Sequence, residues 1–200
     1  LVARDPGTQE NRLLFAQTLV EAGDVAASVR ETMMLEASIG NKPEFAAGLA
    51  GLAFLQGRYP VSATYAARMV ANDPKDPQGH LALARVALAE GAFEKAAGHA
   101  LDALEITQAI PEGHHLLGAA LAWYGELADA LTSLDAAVQF DAKGIESYRF
   151  AAIAAHVLGD HALSAAHRAK VEELSSSPTV RSRTTPFGAA DFAAQHGLAE

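Results

Sequence analysis

PQGHLALARVALAEGAFEKAAGHALDALEITQAI, residues 77–110, carries the fold in one 34-residue stretch. Leu81, Ala84 and Leu88 recur at helical spacing ahead of Gly91. Pro77 stands first, where a missing N–H is harmless and a fixed φ suits helix initiation. Gly91 then closes one helix and turns the chain, because glycine enters a left-handed conformation without steric cost.

Outward from this stretch the same spacing recurs. Gly23, Gly57, Gly91, Gly125 and Gly159 lie 34 residues apart. With each glycine as fifteenth position, the units are 9–42, 43–76, 77–110, 111–144 and 145–178, and a fixed period of this kind signals a repeat architecture. Seven residues before each glycine stands Ala16, Ala50, Ala84, Gly118 or Ala152; five after it stands Ser28, Ser62, Ala96, Ala130 or Ser164. All are small. They face each other across a helical hairpin, and a Leu at either would push the two axes apart. Two residues after each glycine comes Val25, Tyr59, Phe93, Leu127 or His161, in most units a residue able to pack.

The pattern predicts first helices near 10–22, 43–56, 77–90, 111–124 and 145–158. Second helices are predicted near 25–38, 59–72, 93–106, 127–140 and 161–174. Pro43 and Pro111 open their units as Pro77 does. The last second helix carries His161, His167, Arg168, Lys170, Glu172 and Glu173, the polar outer layer expected where a stack of repeats stops. Residues 175–187 read as a Ser/Thr/Pro-rich linker. Beyond it, Phe187, Ala190, Phe192, Ala193 and Ala194 are expected to give a short helix with an apolar face. That helix is either a cap on the last repeat, a tether, or a peptide that enters a groove.

The bulk composition excludes several functions. A formal charge of −9 leaves no clustered basic footprint for nucleic acid, and Arg181 with Arg183 is too little to make one. Without cysteine there is no disulfide, thiolate metal site or Cys nucleophile. No apolar run reaches the length of a membrane span. The chain opens at Leu1, so the start reads as trimmed; the cytoplasm is the favoured compartment, with the periplasm left open.

The 34-residue period, the small–Gly–small arrangement and Pro74 at the end of its unit resemble the tetratricopeptide repeat. The resemblance covers 9–178, and Asp5-Pro6, within residues 1–8, resembles the end of a preceding repeat or an N-terminal cap. It implies an all-α, right-handed α-solenoid of five helix–turn–helix repeats, followed by a linker and short C-terminal helix over 179–200. Two family positions depart. The first-helix aromatic is replaced in most units, by Arg12, Ala46, His80 and His114, with Tyr148 in the fifth. The second-helix aromatic gives way to Thr32, Ala66, Ala100, Leu134 and Arg168. An Ala-rich, small-core variant follows, and the composition hints at a bacterial source.

The resemblance also implies that first helices line a concave groove that binds an extended peptide or a helix. The residues expected there are Ala47, Gly48, Gly51, Phe54, Arg85, Leu88, His115, Ala119, Trp123, Arg149, Ile153 and His156. Gly48 and Gly51 each give up about 1 kcal/mol against Ala inside a helix, which is explained by a tight helix contact or by a floor cleared for a guest. Arg85, His115 and Arg149 could form a cationic spot for a carboxylate or phosphate; the alternative is ordinary pairing with Glu112 and Glu146. Trp123, the only Trp, is either core or an anchor for a partner. The positions used by the family's chaperone-tail clamp carry Leu13, Gln17, Gly48, Gln78 and Ala82, so that activity is not expected.

Catalysis has no footing in the motifs. His114 and His115 are adjacent and point to different sides of a helix; His80 and His114 occupy equivalent repeat positions and read as packing residues with a polar tip. There is no His-Glu-x-x-His pair, phosphate-cradling loop or nucleophile elbow. No metal or cofactor is expected, and no enzyme activity. The leading expectation is a scaffold for a protein or peptide. A regulatory or oligomerising module of a longer enzyme is the alternative, and self-association, with the 187–198 tail in a neighbour's groove, is a third.

Overall fold

A computed structural model describes residues 8–40, 42–176 and 187–198, and every regular element among them is helical. In order these are α1 (Gln9–Glu21), α2 (Val25–Ile39), a 3₁₀ turn (Pro43–Phe45), α3 (Ala46–Leu55), α4 (Tyr59–Asn72) and α5 (Pro77–Ala89). Then come α6 (Phe93–Ile106), α7 (Pro111–Tyr124), α8 (Leu127–Phe140), α9 (Ile145–Val157), α10 (His161–Ser175) and α11 (Ala189–Gln195). The helices from α1 to α10 match the expected pairs to within a residue or two, except α3. There Pro43 begins a 3₁₀ turn, a common way for a helix to start, before α-helical bonding takes over at Ala46. The preceding-repeat remnant, apart from Thr8, and most of the linker lie outside the described residues.

All five spaced glycines have positive φ, from +72° at Gly57 to +100° at Gly125. The next N–H in each case returns to the carbonyl five residues back, as from Asp24 to Leu19 at 2.9 Å and from Glu126 to Leu121 at 2.9 Å. This closure caps orphan carbonyls of the first helix and reverses the chain. Across the hairpin the small positions also bond. Ser28 Oγ donates to the Ala16 carbonyl at 2.6 Å, Ser62 Oγ to Ala50 at 2.8 Å and Ser164 Oγ to Ala152 at 2.8 Å.

The chain divides into two compact units, one ending at Val86 and the other beginning at Ala87. In the first, α1 packs on α2 and α3 on α4. Leu35, Ile39, Phe45 and Leu49 form its apolar centre, with Leu13 and Tyr65 against them. Thr32, at a position where the family has an aromatic, is fully buried, and its hydroxyl donates to the Ser28 carbonyl at 2.8 Å. Gln56 Nε2 reaches both Ser28 Oγ and Thr32 Oγ1 at 2.8 Å. Ser28, Thr32 and Gln56 thus form a polar relay between the first two repeats. Tyr65 donates to Glu36 Oε1 at 3.0 Å; burial, with that carboxylate beside it, pushes the phenol up to about 12.

In the second unit α6 packs on α7, α7 on α8, α8 on α9 and α9 on α10. Gly118 is where α7 meets α8: a Cβ there would lie 2.6 Å from Leu134 Cγ and 3.0 Å from the Ala130 carbonyl. On α10 the expected His161, Arg168, Lys170, Glu172 and Glu173 are exposed, alongside Ala162, Ala165, Ala166 and Ala169, but His167 is not part of that face. It is buried, 3.2 Å from Asp135 and beside the Tyr148 ring. His114 stacks on Phe140 while its Nε2 lies 2.8 Å from the Gln108 carbonyl, an apolar body with a bonded tip.

Candidate functional site

In the first unit, a hollow of about 180 Å³ opens between α3, α4 and the start of α5. Ala47, Gly51, Phe54 and Arg85 line it together with Ala50 and Ala82. α3 holds small residues on that side: a Cβ on Gly51 would meet nothing within 4 Å. Gly48 is different. A Cβ there would run into the Leu13 side chain, so its missing side chain lets α1 and α3 approach. The two glycines, expected as a pair, divide between packing and open space.

In the second unit the chain's own last helix covers part of the first helices. α11 lies against α9, and its buried residues are Ala189, Phe192 and Ala193. Ala190 and Ala194, expected on the apolar face, are exposed. Phe192 is 1% exposed and joins a cluster with Ala119, Ala122, Phe150 and Ala151, against which Leu88, Trp123 and Ile153 pack. Ala119 is therefore core, with no exposed surface. Trp123 is half-buried, its indole N–H donating to the Phe187 carbonyl at 2.8 Å. The Phe187 ring meets Trp123 edge-on at 5.2 Å and Phe93 edge-on at 5.3 Å, while Phe93 stacks on Trp123 at 5.6 Å. Edge-to-face pairs of this kind are worth about 0.5–1.5 kcal/mol each beyond area burial.

The remaining expected residues separate. Arg149, Ile153 and His156 line a cavity of about 240 Å³ whose other wall includes Ala189, Ala193 and Leu198. Arg149 is held by Glu146 at 2.8 Å. His115 does not line that cavity; its Nδ1 is 2.9 Å from Ser147 Oγ and its ring is edge-on to Phe150. Crowding by protein lowers its pKa, opposed by Glu146 and Glu112, so its ring favours the neutral form. Within this unit, then, Arg149 is paired with Glu146 and His115 is disposed to be neutral. Sequence reasoning misses Phe93 and Phe150 as partners of the tail. The repeat pattern marks Phe93 only as the packing residue after Gly91, and nothing in it distinguishes Phe150.

No family model matches the sequence, and no curated protein does. Among solved structures, the chain is similar to TTC0263, a thermophilic TPR protein in Thermus thermophilus, at 20% identity and a TM-score of 0.70, covering 95% of this chain and 97% of that one. It is also similar to MamA from Desulfovibrio magneticus RS-1 (residues 41 to the end) at 19% identity and a TM-score of 0.66, covering 86% and 97%. No described helix is long and apolar enough to cross a membrane. Paired helices at a 34-residue period, closed by positive-φ glycines and similar in arrangement to these solved structures, give the chain a tetratricopeptide-like helical-repeat fold.

Proposed function

We propose that the chain works by binding, taking a peptide or helix of another protein on the first-helix side of its repeats, and that it performs no catalysis of its own. One observation carries this reading. The first-helix side of the second unit already holds a helix, α11, through Trp123, Phe150 and Ile153. A wall that seats one short helix has the chemistry to seat another. The hollow over Gly51 supports the same reading from the other unit, because a mid-helix glycine facing open space forfeits about 1 kcal/mol without a packing reason. Phe54, at the edge of that hollow, offers an aromatic surface to a guest.

The test starts from peptides selected against the intact chain from a random library. Their affinity is then measured for the wild type and for Gly51→Arg, which fills the hollow without entering a close-packed contact. The reading predicts at least one selected class whose affinity falls about tenfold or more, the loss of ~1.4 kcal/mol expected when an anchor pocket closes. Unchanged affinity for every selected class contradicts it.

A further inference from the structure

We propose that residues 187–198 are an exchangeable internal ligand, and that the face they cover recognises an external peptide of the same chemistry: two Phe side chains five residues apart with small residues between. This rests on the binding reading above and names its ligand class.

Four observations support exchange over a fixed structural cap. Phe187 has φ +57°, a left-handed conformation that a bulky residue enters at a cost of roughly 1–3 kcal/mol and keeps only when its surroundings impose it. Here the imposing groups are the Trp123 indole, which holds its carbonyl, and the Phe93 and Trp123 rings. Second, α11 has seven residues, too few to be helical alone, so its order is drawn from the surface beneath. Third, the contact is one-sided: Ala190, Asp191, Ala194 and Gln195 are exposed. Fourth, the seat is incompletely filled. A cavity of about 240 Å³, open to solvent, remains between α9, α10 and α11.

The receiving surface is shaped for the aromatic pair. A Cβ on Gly91 would come within 3.3 Å of Phe187 Cζ, so that glycine serves the Phe187 pocket as well as the turn. Phe192 enters a separate pocket, 5.4 Å from the Trp123 ring and 5.6 Å from Phe150. Between the two Phe residues the chain reads Gly-Ala-Ala-Asp, with Ala189 buried and Asp191 exposed. A guest therefore needs small residues on the buried side and tolerates charge on the other. A tethered occupant acts at an effective concentration near millimolar, so an external peptide gains full access only when the tail is released.

The experiment uses the full chain, folded first and then cut at a protease site introduced between Thr179 and Thr184. A fluorescent peptide of sequence FGAADFAAQHGLAE is added before and after cutting, with Trp123 emission as an internal reporter. The proposal predicts that the peptide binds the cut protein at least tenfold more tightly than the intact one, as expected when the binding-competent fraction rises. It also predicts that a peptide with both Phe replaced by Ala does not bind, and that Trp123 emission returns to its intact value on saturation. If the cut tail cannot be displaced by excess peptide, or if cutting melts the second unit, the tail is a structural cap and the proposal falls. Light scattering on the intact chain separates the sources: a monomer agrees with an internal ligand, and a dimer that peptide dissociates assigns the seat to a second copy and overturns it. A failure here with peptide binding retained at Gly51 would leave the broader binding reading in place.

Discussion

The indole N–H of Trp123 donates to the carbonyl of Phe187, 64 residues further along the chain, at 2.8 Å. Trp123→Phe keeps an aromatic ring and removes the donor. The loss of about 1 kcal/mol expected for one hydrogen bond translates into roughly fivefold faster amide exchange across α11. Hydrogen-exchange mass spectrometry reads this directly, with α8 as an internal control. Equal exchange in the variant would mean that the bond does not hold the tail.

Two glycines that look alike in sequence should respond in opposite directions. Gly51→Ala adds a methyl to open space and removes a flexible mid-helix position, so stability rises by about 0.5–1 kcal/mol. Gly118→Ala meets Leu134 and the Ala130 carbonyl and should cost about 1–3 kcal/mol as α7 and α8 are forced apart. Urea unfolding of both variants decides it; shifts of the same sign would refute the packing described for them.

Gln56 joins repeats one and two by donating to Ser28 and Thr32. Gln56→Ala leaves two buried hydroxyls with one partner fewer, for a loss of about 1–3 kcal/mol. Restoring an apolar fill with Thr32→Val in the same chain should recover part of that loss, since replacing both partners is cheaper than orphaning one. Additive losses in the double variant would argue against a relay.

His115 gives the fold a pH dependence with a definite sign. Desolvation lowers its pKa in the folded chain below the ordinary 6.5, so the unfolded chain takes up the proton first. Stability is full above about 6.5 and is lost as pH falls from there through the lowered folded value. Melting temperature should drop over that window, and His115→Gln, which cannot protonate, should flatten the drop. A variant with the same profile as wild type would assign the effect elsewhere.

Much of the fold is legible because the turn chemistry repeats. A glycine at positive φ and a small residue on either side leave few alternatives, and Gly23 to Gly159 state them five times. The site is less legible. The repeat register alone puts Ala47, Gly51, Phe54 and Arg85 together, and they line one hollow. His115 does not yield to the same reading, because its direction is set by Ser147 and Phe150, which the register does not specify. The tail is apolar in sequence, but its buried set is 189, 192 and 193. Helix phase begins only after Gly188, a boundary no periodicity over so short a segment fixes.

The most direct measurement is nuclear magnetic resonance shift mapping of a library-selected peptide on the isotope-labelled chain. Perturbations gathered on α3 around Ala47–Phe54, or on α7 and α9 around Trp123 and Ile153 with loss of α11 signals from their bound positions, are the predicted result. Perturbations confined to α4, α8 and the outer face of α10 would contradict the assignment of binding to the first helices.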